Sequence, residues 1–183
     1  MFEFLYLGNL MREKGVAVLL EACAELKNKG AVFCCHFVGA DTRDMSNEDL
    51  KLYVHSQNLQ ECVKIHGALY NEEKERMFQI ADAFVFPTYY HNECFPLVLL
   101  EAMKWGLPII STSEGAIADI VVDGETGLLI SGRSVEALVE AMQFLMDNRV
   151  RAHNMGTLGR MRYLEKYTCD AFLQNMSKIL REA

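Results

Sequence analysis

His91-Asn92-Glu93-Cys94-Phe95-Pro96-Leu97-Val98-Leu99-Leu100-Glu101-Ala102-Met103 joins an apolar run, Ala83 to Phe86, to an apolar helical pattern that continues to Trp105. Proline suits the first helical position, because its missing N–H would be unpaired there and its φ is already helical. The stretch therefore reads as strand, polar loop and helix, with the helix opening at Pro96 and a further strand predicted over Pro108 to Thr112. The same alternation extends to both sides. Upstream, strands are predicted at Phe4–Leu7, Ala31–Val38 and Val63–His66, and helices at Val16–Asn28, Asp49–Asn58 and Glu72–Ile80. Downstream come a short helix at Ala116–Val122, a turn over Asp123–Gly127 and a strand at Leu128–Ile130. Three helices follow, Val135–Met146, Val150–Tyr167 and Asp170–Arg181. Strands alternating with helices predict an α/β fold, a Rossmann-like, doubly wound parallel sheet with helices on both faces. Ligands on such sheets bind beyond the carboxyl ends of the strands, where the strand order reverses.

The opening stretch also sets two carboxylates, Glu93 and Glu101, eight residues apart across the start of one helix. Glu101 follows Pro96 by about 7 Å of axial rise. A carboxylate among Leu99, Leu100, Ala102 and Met103 needs partners if it is buried, since an unpaired buried charge is costly. Hydroxyl groups of a ligand can supply them, while the free N–H groups and positive dipole end of the helix attract phosphate. A nucleotide sugar carries both. The plainer reading is a solvated Glu93 and a Glu101 on the wet side of an amphipathic helix. The loop Gly8-Asn9-Leu10-Met11-Arg12-Glu13-Lys14-Gly15 has the same ambiguity: Lys14 at a helix entrance suits a phosphate, or is simply solvated.

The blocks Glu93 to Met103, Gly106-Leu107-Pro108-Ile109-Ile110 and Glu114-Gly115-Ala116-Ile117-Ala118-Asp119 together resemble the spaced-glutamate signature of the family 4 retaining glycosyltransferases. Those enzymes have two-domain GT-B architecture, and the resemblance covers essentially all 183 residues as the C-terminal, donor-binding domain alone. It implies a single nucleotide-sugar-binding domain over residues 1–183, opening directly on a core strand, with the N-terminal acceptor domain outside the sequence. In that family the residue at Glu93 hydrogen bonds the donor sugar and the one at Glu101 the nucleotide ribose. Lys14 matches the phosphate-binding lysine, the backbone of Cys94, Phe95 and Leu97 would help hold the sugar, and backbone near Gly67 would meet the base. Gly67 reads equally well as an ordinary turn glycine. Asn9 stands where the family often has arginine, with Arg12 available in the same loop. Cys94 and Pro96 stand at frequent glycine positions, and Pro96 removes one N–H donor. Asp119 and Ala116 replace a usual glutamate and glycine. Asp119 reads either as part of a pocket floor or as a surface charge.

The resemblance implies transfer from a nucleotide-diphosphate sugar with retention of configuration and no required metal or other cofactor. The acceptor, a glycan or lipid-linked saccharide, would be held by the protein's own N-terminal domain. Two other classes stay open: a non-catalytic nucleotide-binding or interaction module, motivated by Asn9 and Pro96, and a sugar-nucleotide epimerase.

Composition sets outer bounds. Eighteen Lys and Arg against 25 Asp and Glu give a net charge of −7, which argues against a nucleic-acid partner. Cys23, Cys34, Cys35, Cys62, Cys94 and Cys169 show no C-x-x-C spacing, and His36, His55, His66, His91 and His153 no H-x-x-x-H spacing, so no metal is expected from the sequence. The thiols read as reduced in a cytoplasmic protein, with peripheral membrane contact left to parts outside this sequence. No apolar run approaches the ~20 residues that span a bilayer.

Overall fold

Each predicted apolar run becomes a strand: β1 (Phe2–Leu7), β2 (Phe33–Val38), β3 (Val63–Gly67), β4 (Ala83–Phe86), β5 (Ile109–Ser111) and β6 (Gly127–Leu129). The computed structural model describes residues 1–182. Its strands form one sheet in the order β3-β2-β1-β4-β5-β6, and every pairing is parallel. All of β2 and β4 is buried, as expected for strands covered on both faces. The covering helices are α1 (Val16–Asn28), α2 (Asn47–Ser56), α3 (Asn71–Ile80), α4 (Leu97–Lys104), α5 (Ile117–Ile120), α6 (Val135–Asp147), α7 (Arg149–Lys166) and α8 (Cys169–Glu182). The chain winds outward from β1 through β2 to β3, returns across the sheet on α3, and winds the other way from β4 to β6. With right-handed crossovers, the two directions put α1 and α4 on opposite faces. The expected doubly wound sheet is the one observed, with its reversal between β1 and β4, where Phe4 pairs with Ala83.

Boundaries shift for identifiable reasons. Pro96 is not the first helical residue: at φ −72° and ψ 103° it is extended and caps α4, and its carbonyl accepts the first turn's bond from Leu99 N at 3.1 Å. Its ring fixes φ alone, so ψ was free to turn the loop into the helix. The second helix starts two residues before the predicted Asp49, because Ser46 and Asp49 form a reciprocal capping box. The second strand starts at Phe33, since Ala31 N turns back to Leu26 O at 3.0 Å to close α1.

Phe4, Tyr6, Phe33, Phe37 and Phe84 fill the sheet core, each fully or almost fully buried. All six cysteines are free, Cys94 and Cys169 exposed and the others buried. By contrast, α8 exposes Phe172, Leu173, Met176, Ile179 and Leu180 along its length. Among the described residues no helix is long and apolar enough to cross a membrane.

The position of α4, which carries Glu101, depends on its packing with α7. A β-carbon on Gly156 of α7 would lie 1.9 Å from the Gly106 carbonyl oxygen, whereas one on Gly159 would meet nothing closer than 3.8 Å. Gly156→Ala is therefore expected to lower stability by about 1–3 kcal/mol through overpacking. Gly159→Ala should be neutral or stabilising by about 0.5–1 kcal/mol, because alanine is the better helix former. Denaturant midpoints of the two variants, read against the parent, check the contrast.

Candidate functional site

Two loops leave the carboxyl ends of the strands at the reversal in strand order and lock together. One, Gly8 to Gly15, follows β1 and contains a 3-10 turn over Arg12–Lys14; the other, Pro87 to Pro96, follows β4. Gly15 has φ +81° and lies against the second loop, where a β-carbon would be 2.2 Å from the Pro87 carbonyl oxygen. Tyr89 N donates to the Glu13 carbonyl at 2.8 Å. These contacts set Lys14 Nζ 2.5 Å from Glu93 Oε2, with the two side chains only 17% and 9% exposed.

The rest of the surroundings hold that pair in place. Thr88 Oγ1 lies 3.3 Å from both the Glu13 carbonyl and Glu93 Oε2, with one proton to share between them. The Lys14 ammonium stands 5.0 Å from the centre of the Tyr90 ring and 5.5 Å from that of Phe86, inside cation–π range. From below, the buried Tyr6 hydroxyl donates to the Asn9 carbonyl at 3.1 Å. Burial, and secondarily the Glu93 charge, push the Tyr6 hydroxyl well above the ordinary tyrosine range. The loop after β5 closes the third side. Gly115 has φ +55°, and a β-carbon there would fall 1.7 Å from the Glu93 carbonyl oxygen, while Ala116 N donates to the Cys94 carbonyl at 2.9 Å.

A second ion pair lies across the cleft. Lys74 Nζ of α3 is 2.7 Å from Glu101 Oε1 of α4, and the side chains are 28% and 39% exposed. Lys74 also lines a cleft of about 220 Å³ at the ends of β1, β2 and β3, together with Gly8, Asn9, Gly39, Ala40 and Tyr70. Nothing in the sequence marks Lys74, one charge in the solvent-facing pattern of Asn71–Ile80. Tyr6, Thr88 and the approach of Gly115 to Glu93 were equally invisible there.

The other expected residues divide. Asn9 lines the cleft and is exposed. Arg12 turns away: its N–H donates to Asp44 Oδ2 at 2.6 Å, and Nε lies 3.7 Å from Asp44 Oδ1. Gly67 adopts φ +72° with open space around it, and its carbonyl accepts from Gly39 N at 2.9 Å. Its backbone conformation is thus reason enough for a glycine. The N–H groups of Cys94, Phe95 and Leu97 make no hydrogen bond within the protein among the described residues. Phe95 is exposed, its ring edge-on to Tyr167 at 6.2 Å. The Asp119 side chain is exposed, and it is the Asp119 carbonyl that works structurally, accepting from Arg162 at 2.6 Å and from Tyr167 at 2.9 Å. His91 is exposed beside Tyr90.

The family model described as "Glycosyl transferases group 1" matches residues 2–162. The D-inositol 3-phosphate glycosyltransferase of Arthrobacter sp. (strain FB24) is 30% identical over 157 residues, covering 85% of this chain and 37% of its own length. The solved sucrose-phosphate synthase from Thermosynechococcus elongatus matches with a TM-score of 0.86 at 28% identity, over 99% of this chain and 45% of that one. Anabaena Alr3699/HepE, solved in complex with UDP-glucose, matches with a TM-score of 0.84 at 17% identity, over 100% of this chain and 49% of that one. That last likeness is one of fold. The chain therefore spans less than half the length of these relatives and matches about half of each solved chain.

A buried pair rarely outperforms apolar side chains of the same volume, but removing one partner strands the other charge. Lys14→Met should therefore destabilise the protein by roughly 2–4 kcal/mol, and Lys14→Met combined with Glu93→Gln by clearly less than the sum of the single changes. A double-mutant cycle of denaturant unfolding reads this directly, and additive effects would show that the pair is not coupled.

Proposed function

The chain belongs to the group 1 glycosyl transferases, and we propose that it is the donor-binding domain of a retaining enzyme that moves a sugar from a nucleotide diphosphate to an acceptor. The observation that carries this reading is the Lys14–Glu93 pair, two charges sequestered together where the strand order reverses. Each is a partner the donor can replace. The diphosphate takes the Lys14 ammonium, and sugar hydroxyls take the Glu93 carboxylate, with the N–H groups of Cys94, Phe95 and Leu97 close by in the same loop. Lys14 and those N–H groups then stabilise the charge that builds on the departing diphosphate, the main contribution of this half to the reaction. With a fixed ammonium in that role, transfer needs no metal. Glu101 exchanges Lys74 for ribose hydroxyls, and the base occupies the cleft beside Gly39, Ala40 and Tyr70.

The acceptor belongs to a second domain of the same protein, placed across the cleft in the cytoplasm. Two findings support that arrangement. The chain covers under half of its relatives, and α8 presents an apolar stripe, Phe172, Met176 and Ile179 among its members, to solvent. Uridine nucleotides are the first candidates, because the similar Anabaena protein was solved with UDP-glucose. One observation favours a second reading, a nucleotide-binding module without transfer chemistry. Arg12 is committed to Asp44 and Asn9 carries no charge, which leaves Lys14 as the cation of its loop for two phosphates.

Calorimetric titration with UDP-, GDP- and ADP-sugars tests the binding half of the proposal. Saturable binding that selects one base is expected, weakened about 10- to 100-fold by Lys14→Ala and by Glu101→Ala, the loss of one hydrogen bond to a charged group in each case. A folded protein that binds none of the three overturns it. In the full-length protein, Glu93→Gln should lower transfer by about 10²–10³-fold, the range seen when one transition-state hydrogen bond is removed. Unchanged transfer would remove Glu93 from catalysis, and an epimer formed without acceptor would indicate isomerase chemistry instead.

A further inference from the structure

The first three strands carry a second group of donor atoms, on one face of the sheet and toward its amino-terminal edge. Glu3 of β1 is in register with Cys34 of β2, and His36 lies two residues on, so it projects from the same face. Glu3 Oε2 is 2.9 Å from His36 Nε2, Cys34 Sγ is 3.6 Å from the same nitrogen, and the three ligand atoms all lie within 4.8 Å of one another. Cys34 and His36 are buried, at 3% and 7% exposure, while the Glu3 side chain keeps 24%. The other ring nitrogen of His36, Nδ1, is 2.9 Å from His66 Nε2 on β3.

We infer that Glu3, Cys34 and His36 form a site for one divalent transition-metal ion, with zinc the best match and His66 the outer partner that orients His36. Without an ion, His36 Nε2–H and the Cys34 thiol each donate to the Glu3 carboxylate. An ion replaces those two protons and takes all three groups as ligands. Thiolate, imidazole and carboxylate are the donors zinc takes, and three protein ligands leave a fourth position for water. Tetrahedral bonds of about 2.3 Å to sulfur and about 2.0 Å to nitrogen separate those two atoms by about 3.6 Å, and a nitrogen and an oxygen ligand by about 3.3 Å. The sulfur–nitrogen distance already matches. Glu3, the ligand with access to solvent, has to draw back by about 0.4 Å to meet the second value.

Binding releases the Cys34 proton to solvent on the Glu3 side, and the thiolate and carboxylate together neutralise the ion. The neighbouring cation, Lys64 of β3, is tied back to the Gln60 carbonyl at 2.7 Å. The contact between His36 Nδ1 and His66 is the outer hydrogen bond that a metal-ligating histidine characteristically makes. The ion would pin β1 to β2, and through His66 to β3, at the edge of the sheet. It would take no part in transfer at the opposite strand ends.

Cobalt and zinc titrations of the purified, chelator-stripped protein test the site. One equivalent of Co²⁺ per chain should produce near-ultraviolet thiolate-to-cobalt absorption, Zn²⁺ should displace it, and Zn²⁺ should raise the thermal midpoint. Cys34→Ser should abolish the absorption, Glu3→Gln should weaken binding at least tenfold, and His66→Gln should weaken it by about 10–100-fold. Cys169→Ser, which alters an exposed thiol far from both sites in sequence, should leave the absorption unchanged. Glu3 is partly exposed, so its variant keeps the test valid if Cys34→Ser fails to fold. Absence of the absorption in the folded parent overturns the inference. So does its persistence in Cys34→Ser, or its loss in Cys169→Ser.

Discussion

Lys14 and Glu93 cannot each be withdrawn from water alone, and the top of the sheet is arranged so that they are withdrawn together. Desolvating either charge costs several kcal/mol, and only a short, well-oriented contact offsets that. The contact in turn demands that two loops 79 residues apart in sequence be held to within a fraction of an ångström. That demand accounts for the features around it. Gly15 lets one loop lie flush on Pro87, Gly115 lets a third loop close on the Glu93 carbonyl, and Thr88 joins the first two by its hydroxyl. Phe86 and Tyr90 supply aromatic faces to the ammonium where water would otherwise solvate it. Contacts within the protein thus hold the pair in place without a ligand, the preorganisation on which the proposed stabilisation of a leaving group depends.

The winding of the sheet decides which charges meet there. Reversal between β1 and β4 places the ends of those two strands side by side, and with them the loops bearing Lys14 and Glu93. The return crossing from β3 to β4 runs through α3, which brings Lys74 over the cleft and against Glu101 on α4. Each carboxylate thus has a lysine partner, and Lys74 of the second pair lines the cleft. In a dry interior such pairs would be an expensive substitute for apolar packing. In the proposed function they keep the acidic groups ordered until hydroxyl and phosphate groups of the donor take their places.

The opposite strand ends follow a different logic. Glu3 and Cys34 lie at the starts of β1 and β2, His36 in mid-strand and His66 near the end of β3, and three adjacent strands bring their donor atoms together by register rather than by sequence spacing. A search for ligands three or four residues apart looks for sites on one helix. It passes over sites assembled across a parallel ladder, in which neighbours come from segments about thirty residues apart.

Local pattern was enough for the elements. Runs of three to eight residues, mostly apolar and alternating with helical spacing, marked all six strands and the helices between them, because burial on both faces writes a continuous signal into strands such as β2 and β4. Ends were read less well wherever a side chain acts on the backbone: Ser46 and Asp49 set the start of α2 two residues earlier, and Pro96 stepped out of α4. Lys14, Glu93 and Glu101 stood out through their motif context, not through any local signal that separates them from solvated charges. The pairing of Lys14 with Glu93, the entry of Lys74 into the cleft and the diversion of Arg12 to Asp44 were decided by the tertiary structure alone. A charge on a loop carries no periodicity, so its partner is set by which strand ends lie next to each other. That order is a property of how the whole sheet winds.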